Sequence, residues 1–154
     1  NDMPKKFEII GLKELQRDIK LLGRVPQSAA TKGARAGGKI ILGAAKGNAP
    51  VDTGDLKSGL IMKKERKTAP GKAVYDVMPD PAKNDIFVKM SKDGKRAYYP
   101  ASQEYGFLTV DGRYVPGYRY LRHALDHNKT IIEETILSTA GREVDKVLRS
   151  KGMR

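Results

Sequence analysis

The sequence predicts an α+β fold: an antiparallel sheet of three to five strands packed by N-terminal helices and a long C-terminal helix. Two observations carry this expectation. Apolar residues recur at helical spacing near both ends of the chain, whereas strand-like segments and turn dipeptides form one contiguous block between them. At 154 residues the chain is expected to form a single domain, 1–154, around one core.

Residues 1–26 read as an arm and a helix. KKFEII at 5–10 suits a short strand or extended arm, and Leu12, Leu15, Ile19 and Leu22 then form one amphipathic stripe that Gly23 and Pro26 end. Met3 reads as the natural start, with Asn1-Asp2 a remnant of cloning.

Residues 27–48 predict a second, basic helix of small residues. Ala30, Ala34, Ile41, Ala44 and Ala45 give its apolar face, and Lys32, Arg35, Lys39 and Lys46 give four cations without an acid. Gly33 and Gly37 are four apart, as are Gly43 and Gly47. Each costs up to about 1 kcal/mol against alanine in a helix interior, so the spacing points to a close helix crossing or to a kinked helix.

The stretch APVDTGDLKSGL, 49–60, then reads as a joint. Pro50 pushes Ala49 out of the α region and stops the helix. Asp52 or Thr53 is expected to cap a short turn over Thr53–Gly59, with Gly54 easing the bend.

The region 60–115 predicts the sheet. LIMKKERK (60–67) and AVYDVM (73–78) flank a proline–glycine turn, a third strand is expected at 85–90 (DIFVKM), and Asp111-Gly112 punctuates a small hairpin from Phe107 to Val115. Residues 118–151 predict the C-terminal helix, where Leu121, Leu125, Ile132, Ile136, Ala140, Val144 and Leu148 hold one face and Asp126 to Asn128 interrupt it.

Composition limits the chemistry. Cysteine is absent, which excludes disulfides, thiol catalysis and cysteine–zinc sites. No apolar run approaches the roughly 20 residues of a membrane span, no signal peptide opens the chain, and the cytoplasm is the expected compartment. The net charge is +12. Residues 1–72 carry 16 Lys or Arg against 7 acids, and residues 73–154 carry 14 against 11. Such a field draws polyanions, and it equally serves solubility. Lys32, Arg35, Lys39 and Lys46 are therefore candidate polyanion contacts.

No phosphate-binding loop, dinucleotide fingerprint or serine elbow is present. His123 and His127 lie four apart, as in one zinc-protease arrangement, but the acid between them is Asp126 and no third ligand has spacing support. The expectation is a non-enzyme without metal or cofactor. Tyrosines interleaved with arginines, among them Tyr98, Tyr99, Arg113, Tyr118 and Arg119, suit a protein interface better than base stacking.

Four pieces in order resemble one family: the small-residue helix running into APVDTGDLKSGL, the hairpin block, YYPASQEYGF, and PGYRYLRHALDHNKTIIEETI. The family is the minor tail-component, tail-completion or head–tail joining proteins of long-tailed lambdoid-type phages (gene-product-ten-like), and the resemblance spans roughly residues 28–150. Tyr120 stands where a Phe is commoner, and Leu108–Val115 is a longer insertion, so family loop contacts do not carry across it.

The resemblance implies structural roles. Pro50, Asp52, Thr53 and Gly54 would shape the first joint, with Leu56 and Leu60 packed beneath it. Glu104, Tyr105 and Gly106 would hold a second joint, and Pro116, Leu121 and Arg122 would seat the last helix. It also implies a virion protein of the tail or neck, assembled in the host cytoplasm. Its partners would be other tail and head-connector proteins, with DNA in the conduit and no membrane, and it would form a homo-oligomeric ring, hexameric to match the tail. The alternative is a free basic nucleic-acid-binding protein.

Overall fold

The computed structural model describes residues 25–150; the expected N-terminal arm and the Leu12–Leu22 stripe lie outside them. The described residues hold six helices and six short strands, an α+β arrangement. In order they are α1 (Val25–Asn48), α2 (Asp55–Ser58), β1 (Leu60–Lys64), β2 (Tyr75–Pro79), α3 (Asn84–Phe87), β3 (Val88–Met90) and β4 (Arg96–Tyr98). Then follow α4 (Tyr99–Tyr105), β5 (Gly106–Leu108), β6 (Tyr114–Pro116), α5 (Tyr120–Asp126) and α6 (Lys129–Ser150). The strands do not join into one sheet. They pair as three two-stranded ribbons, β1–β2, β3–β4 and β5–β6.

The chain divides into two compact units. The first takes in residues up to 40, then 62–76 and 129 onward; the second takes in 41–61 and 77–128.

In the first unit, α1 packs on α6. Pro26 sits in the first turn of α1, a position where its missing N–H costs nothing. Ala29, Ala30, Ala34, Ile132, Ile136 and Ala140 are buried, the last three completely. Burying an isoleucine of this kind contributes about 1.5–3 kcal/mol. Gly33 and Gly37 are the reason the two helices approach so closely. A Cβ on Gly33 would stand 3.0 Å from the Ile136 carbonyl oxygen, and one on Gly37 would stand 2.6 Å from Ile136 Cδ1. Gly43 and Gly47, with the same spacing, face open space, so only one of the two glycine pairs makes a crossing.

One ion pair fastens the helices at the edge of that contact. Lys32 Nζ lies 2.6 Å from Glu143 Oε2, and the Ser28 hydroxyl donates to Glu143 Oε1 at 2.8 Å. The Lys32 hydrogen bond, then that of Ser28, hold the Glu143 carboxyl below its usual range. A depressed carboxyl contributes stability above its unfolded pKa and loses it as pH falls through the folded value. The stability difference between the wild type and Glu143→Gln is therefore expected to be full at pH 6 and to shrink below about pH 4.5, the ordinary value. With Lys32 half exposed, the difference should not exceed about 1 kcal/mol in urea titrations. A gap that widens on acidification would refute the pairing.

The β1–β2 hairpin lies along the same helix. Lys64 Nζ reaches Thr31 Oγ1 at 3.5 Å, the Gln27 amide donates to the Lys72 carbonyl at 3.2 Å, and the Gly71 N–H donates to Gln27 Oε1 at 3.0 Å.

In the second unit, Leu56, Leu60, Phe87, Tyr120 and Ala124 form the core. The alternating run 85–90 is not one strand. Residues 84–87 are helical and only 88–90 pair with β4, with Lys89 opposite Ala97. Asp80 accepts the Ala82 N–H at 3.0 Å and starts this helical path, which buries Phe87 completely and leaves Ile86 exposed. The C-terminal helix is broken where Asp126–Asn128 suggested, into α5 and α6. The break shifts the phase: α5 buries Tyr120 and Ala124, while Leu121 and Leu125 are only half-buried.

Candidate assembly surface

The first joint is built from backbone geometry more than from side-chain capping. Gly54 is the residue that begins α2, in the left-handed region at φ 82°, and no side chain caps the helix. Asp52 is exposed and does not cap it. Thr53 makes a local turn instead: its hydroxyl lies 2.7 Å from Asp55 Oδ2 and accepts the Asp55 N–H at 3.3 Å. Pro50 is half-buried, and Leu56 and Leu60 are buried below the joint. Gly59 lets the Phe87 ring close against the backbone, a space that any Cβ would fill.

The second joint is a carboxylate clamp. Glu104, at the end of α4, is 5% exposed. Its Oε2 accepts the Leu121 N–H at 2.8 Å and its Oε1 accepts the Arg122 N–H at 3.1 Å, satisfying the first donors of α5. The last carbonyls of α4 are answered in return. The Tyr118 N–H donates to Gln103 O at 2.7 Å, and the Arg119 N–H donates to Glu104 O at 3.2 Å. Arg119 adopts φ 53° to make that turn. The Tyr120 hydroxyl donates to the Pro100 carbonyl at 2.9 Å, which gives the tyrosine at this position a polar anchor. Burial, then the Glu104 charge, push its phenol well up.

Between the two halves of the clamp the chain runs out as the β5–β6 hairpin. Gly106 pairs with Pro116 and Phe107 with Val115. Gly106, at φ 87°, lies where a Cβ would strike the Val115 carbonyl. The Tyr114 hydroxyl donates to the Tyr105 carbonyl at 2.6 Å. Leu108 is 70% exposed and Val110 fully exposed; Phe107, Tyr114 and Tyr118 are exposed too. Tyr105 lies under the Arg119 guanidinium, 5.8 Å from its ring centroid.

Of the interface candidates, Arg113, Tyr118 and Arg119 sit on or beside the hairpin, and Tyr98 and Tyr99 lie half-buried at the start of α4. Burial raises the phenols of Tyr98 and Tyr99. Leu108 and Val110 were missed as candidates, although two apolar residues astride a Thr within a turn-bearing insertion were visible in the sequence.

The four candidate cations all lie on α1, at spacings of three, four and seven residues. Lys32 is tied to Glu143, Arg35 and Lys39 are exposed on α1 in the first unit, and Lys46 lies in the second unit. The β1–β2 hairpin adds exposed Lys63, Lys64, Arg66 and Lys67. The rings of His123 and His127 stack, with centroids 4.8 Å apart. Among the described residues no three His, Cys, Asp or Glu gather as metal ligands, and no helix is long and apolar enough to cross a membrane.

Among the described residues the buried carboxylate, Glu104, serves backbone capping at the base of an exposed apolar hairpin. Residues 13–82 match the family described as "Bacteriophage HK97-gp10, putative tail-component". The resemblance to phage tail components is thereby shown over that stretch, which supports a structural role in a phage tail. The match takes in the first joint and the β1–β2 hairpin; the YYPASQEYGF and PGYRYLRHAL segments lie outside it. No match to a curated protein or to a solved structure was found.

Proposed function

We propose that this chain is a structural, non-enzymatic protein of a phage or prophage tail or neck, one subunit of a ring that completes the tail and joins it to the head connector. The observation that carries this reading is the tail-component match over residues 13–82. The exposed apolar hairpin supports it, because contiguous apolar surface on a charged chain marks a contact with another protein. The partners are neighbouring tail and connector proteins and further copies of the chain, six matching the tail. The protein acts in the virion after assembly in the host cytoplasm.

Electron microscopy of lysates from a phage carrying a deletion of this gene tests the reading. Full heads beside separate tails, or tails with abnormal ends, are expected; normal infectious particles would overturn it.

A second reading, a free nucleic-acid-binding protein, draws on the exposed cations Lys63, Lys64, Arg66 and Lys67 of the β1–β2 hairpin and Arg35 and Lys39 of α1. It predicts tight duplex binding by the isolated chain, with a steep salt dependence that falls by about 0.9 in log–log slope for each phosphate-contacting cation removed. Weak binding that is insensitive to these substitutions would favour the tail role.

A further inference from the structure

We propose that one face of the first unit, made by Arg35 and Lys39 of α1 with Lys64 of β1, binds the phosphate backbone of duplex DNA, while Glu143 withholds Lys32 from the same row. The inference rests on the nucleic-acid chemistry of the second reading and not on the tail role. To that chemistry it adds the surface, the form of nucleic acid and the one cation that takes no part.

Positive charge in this unit is one-sided. Residues 25–40 and 62–76 hold eight Lys or Arg against two acids, whereas α6, 129–150, holds four against four. No acid occurs in the 24 residues of α1. At 3.6 residues per turn, Lys32, Arg35 and Lys39 fall within about 60° of one another around its axis. The β1 strand lies along the edge of that row. A Cβ on Gly38, the residue before Lys39, would stand 2.6 Å from Met62 Sδ, and Lys64 Nζ reaches Thr31 Oγ1 at 3.5 Å. Thr31 and Arg35 are i,i+4 neighbours, about 5–6 Å apart on a helix surface, so Lys64 joins the row next to Arg35.

The row is only partly neutralised within the chain. Lys32 is matched by Glu143 at 2.6 Å. Arg35 and Lys39 are exposed and make no ion pair among the described residues, and Lys64 meets a neutral hydroxyl. Such a field attracts an anion that carries many charges at close spacing, and a DNA duplex presents one about every 1.7 Å along its axis. A protein partner would call for the aromatic and apolar residues that fill interface centres. Neither α1 nor β1 contains an aromatic side chain. That also removes the stacking platform on which single strands depend, which leaves the duplex backbone as the match.

The test is the salt dependence of binding. The full chain is titrated against a short fluorescein-labelled duplex of mixed sequence, read by anisotropy between about 50 and 200 mM salt. Arg35→Gln with Lys39→Gln is expected to flatten the log–log slope by about 1.8, a difference of about 12-fold across that fourfold range. Adding Lys64→Gln should remove about 0.9 more. Lys32→Gln should leave the slope unchanged, because that cation is already engaged. Glu143→Gln should steepen it by about 0.9, because it releases Lys32 into the row. Lys92→Gln with Lys95→Gln, in the second unit, removes as much charge as the Arg35 and Lys39 pair and should leave the slope as it is.

A wild-type slope in the Arg35 and Lys39 variant, or an equal fall in the Lys92 and Lys95 variant, overturns the inference while the nucleic-acid reading stands, since binding then follows net charge and no defined face. No duplex binding at about 50 mM salt overturns both. Polyglutamate bound in preference to duplex at the same salt would make an acidic protein the occupant and overturn the inference too. A Glu143→Gln slope equal to the wild type's overturns the part given to Glu143. None of these results bears on the tail role, which the deletion phage decides.

Discussion

Glu104→Ala is expected to lose about 3–5 kcal/mol in denaturant unfolding, because two charge-assisted hydrogen bonds of roughly 1.5–3 kcal/mol each are removed from a site water reaches poorly. The Leu121 and Arg122 N–H groups would be left without an acceptor at the start of α5, and removing such a cap alone typically costs about 1 kcal/mol. Glu104→Gln separates charge from shape. Its amide oxygen still accepts one N–H, but its NH₂ group faces the other, so an intermediate loss of about 2 kcal/mol is expected. Glu104→Asp, one methylene short, should behave nearer alanine. If all three variants unfold with the wild type, the carboxylate does not hold the joint.

Gly33→Ala and Gly37→Ala are expected to destabilise the chain even though alanine is the better helix former. The propensity gain is at most about 1 kcal/mol each. Against it stands overpacking: at Gly37 the new Cβ meets Ile136 Cδ1 at 2.6 Å and Cγ1 at 2.7 Å, and Ile136 is fully buried with nowhere to swing. At Gly33 the obstacle is the Ile136 carbonyl at 3.0 Å, which yields only if α6 moves. Overpacking of this kind costs about 1–3 kcal/mol per site, so the double variant should lose up to about 4 kcal/mol after the propensity gain is set against it. Gly43→Ala and Gly47→Ala, with open space around them, should each gain about 0.5–1 kcal/mol. The same substitution at the same spacing thus has opposite signs within one helix, which midpoint shifts at constant m-value would resolve. Four shifts of one sign would mean that propensity, or nonspecific strain, governs the helix.

The elements that were legible in the sequence are those set by nearby residues. Pro50 ends α1 within one residue of its expected boundary, and Phe107 pairs with Val115 across the turn that Asp111-Gly112 marks. The 84–87 segment was misread because six alternating residues do not distinguish a strand from a helical turn followed by three strand residues. What decides it is Phe87, which must enter the pocket left open by Gly59, 28 positions earlier in the chain. The same limit applies to the phase of α5. Leu121 looks like the inward residue by periodicity, yet Tyr120 takes the interior because its hydroxyl finds the Pro100 carbonyl. The resemblance marked Glu104, Leu121 and Arg122 as structural positions, but nothing in spacing told that the carboxylate of the first accepts the backbone hydrogens of the other two. Contacts made by side chain to distant backbone leave no period behind.

The clamp at Glu104 also separates two design problems that most projecting loops confound. Closing a longer loop costs only about 0.6 kcal/mol per doubling of its length, once its ends are fixed. Here the ends are fixed by groups outside the loop: the Glu104 carboxylate on one side, and the Leu121 and Arg122 amides on the other. Length and residue type between Gly106 and Pro116 are thus free to drift while the scaffold stays folded. Gain or loss of residues there would change how far the hairpin projects and which side chains it displays without refolding the rest.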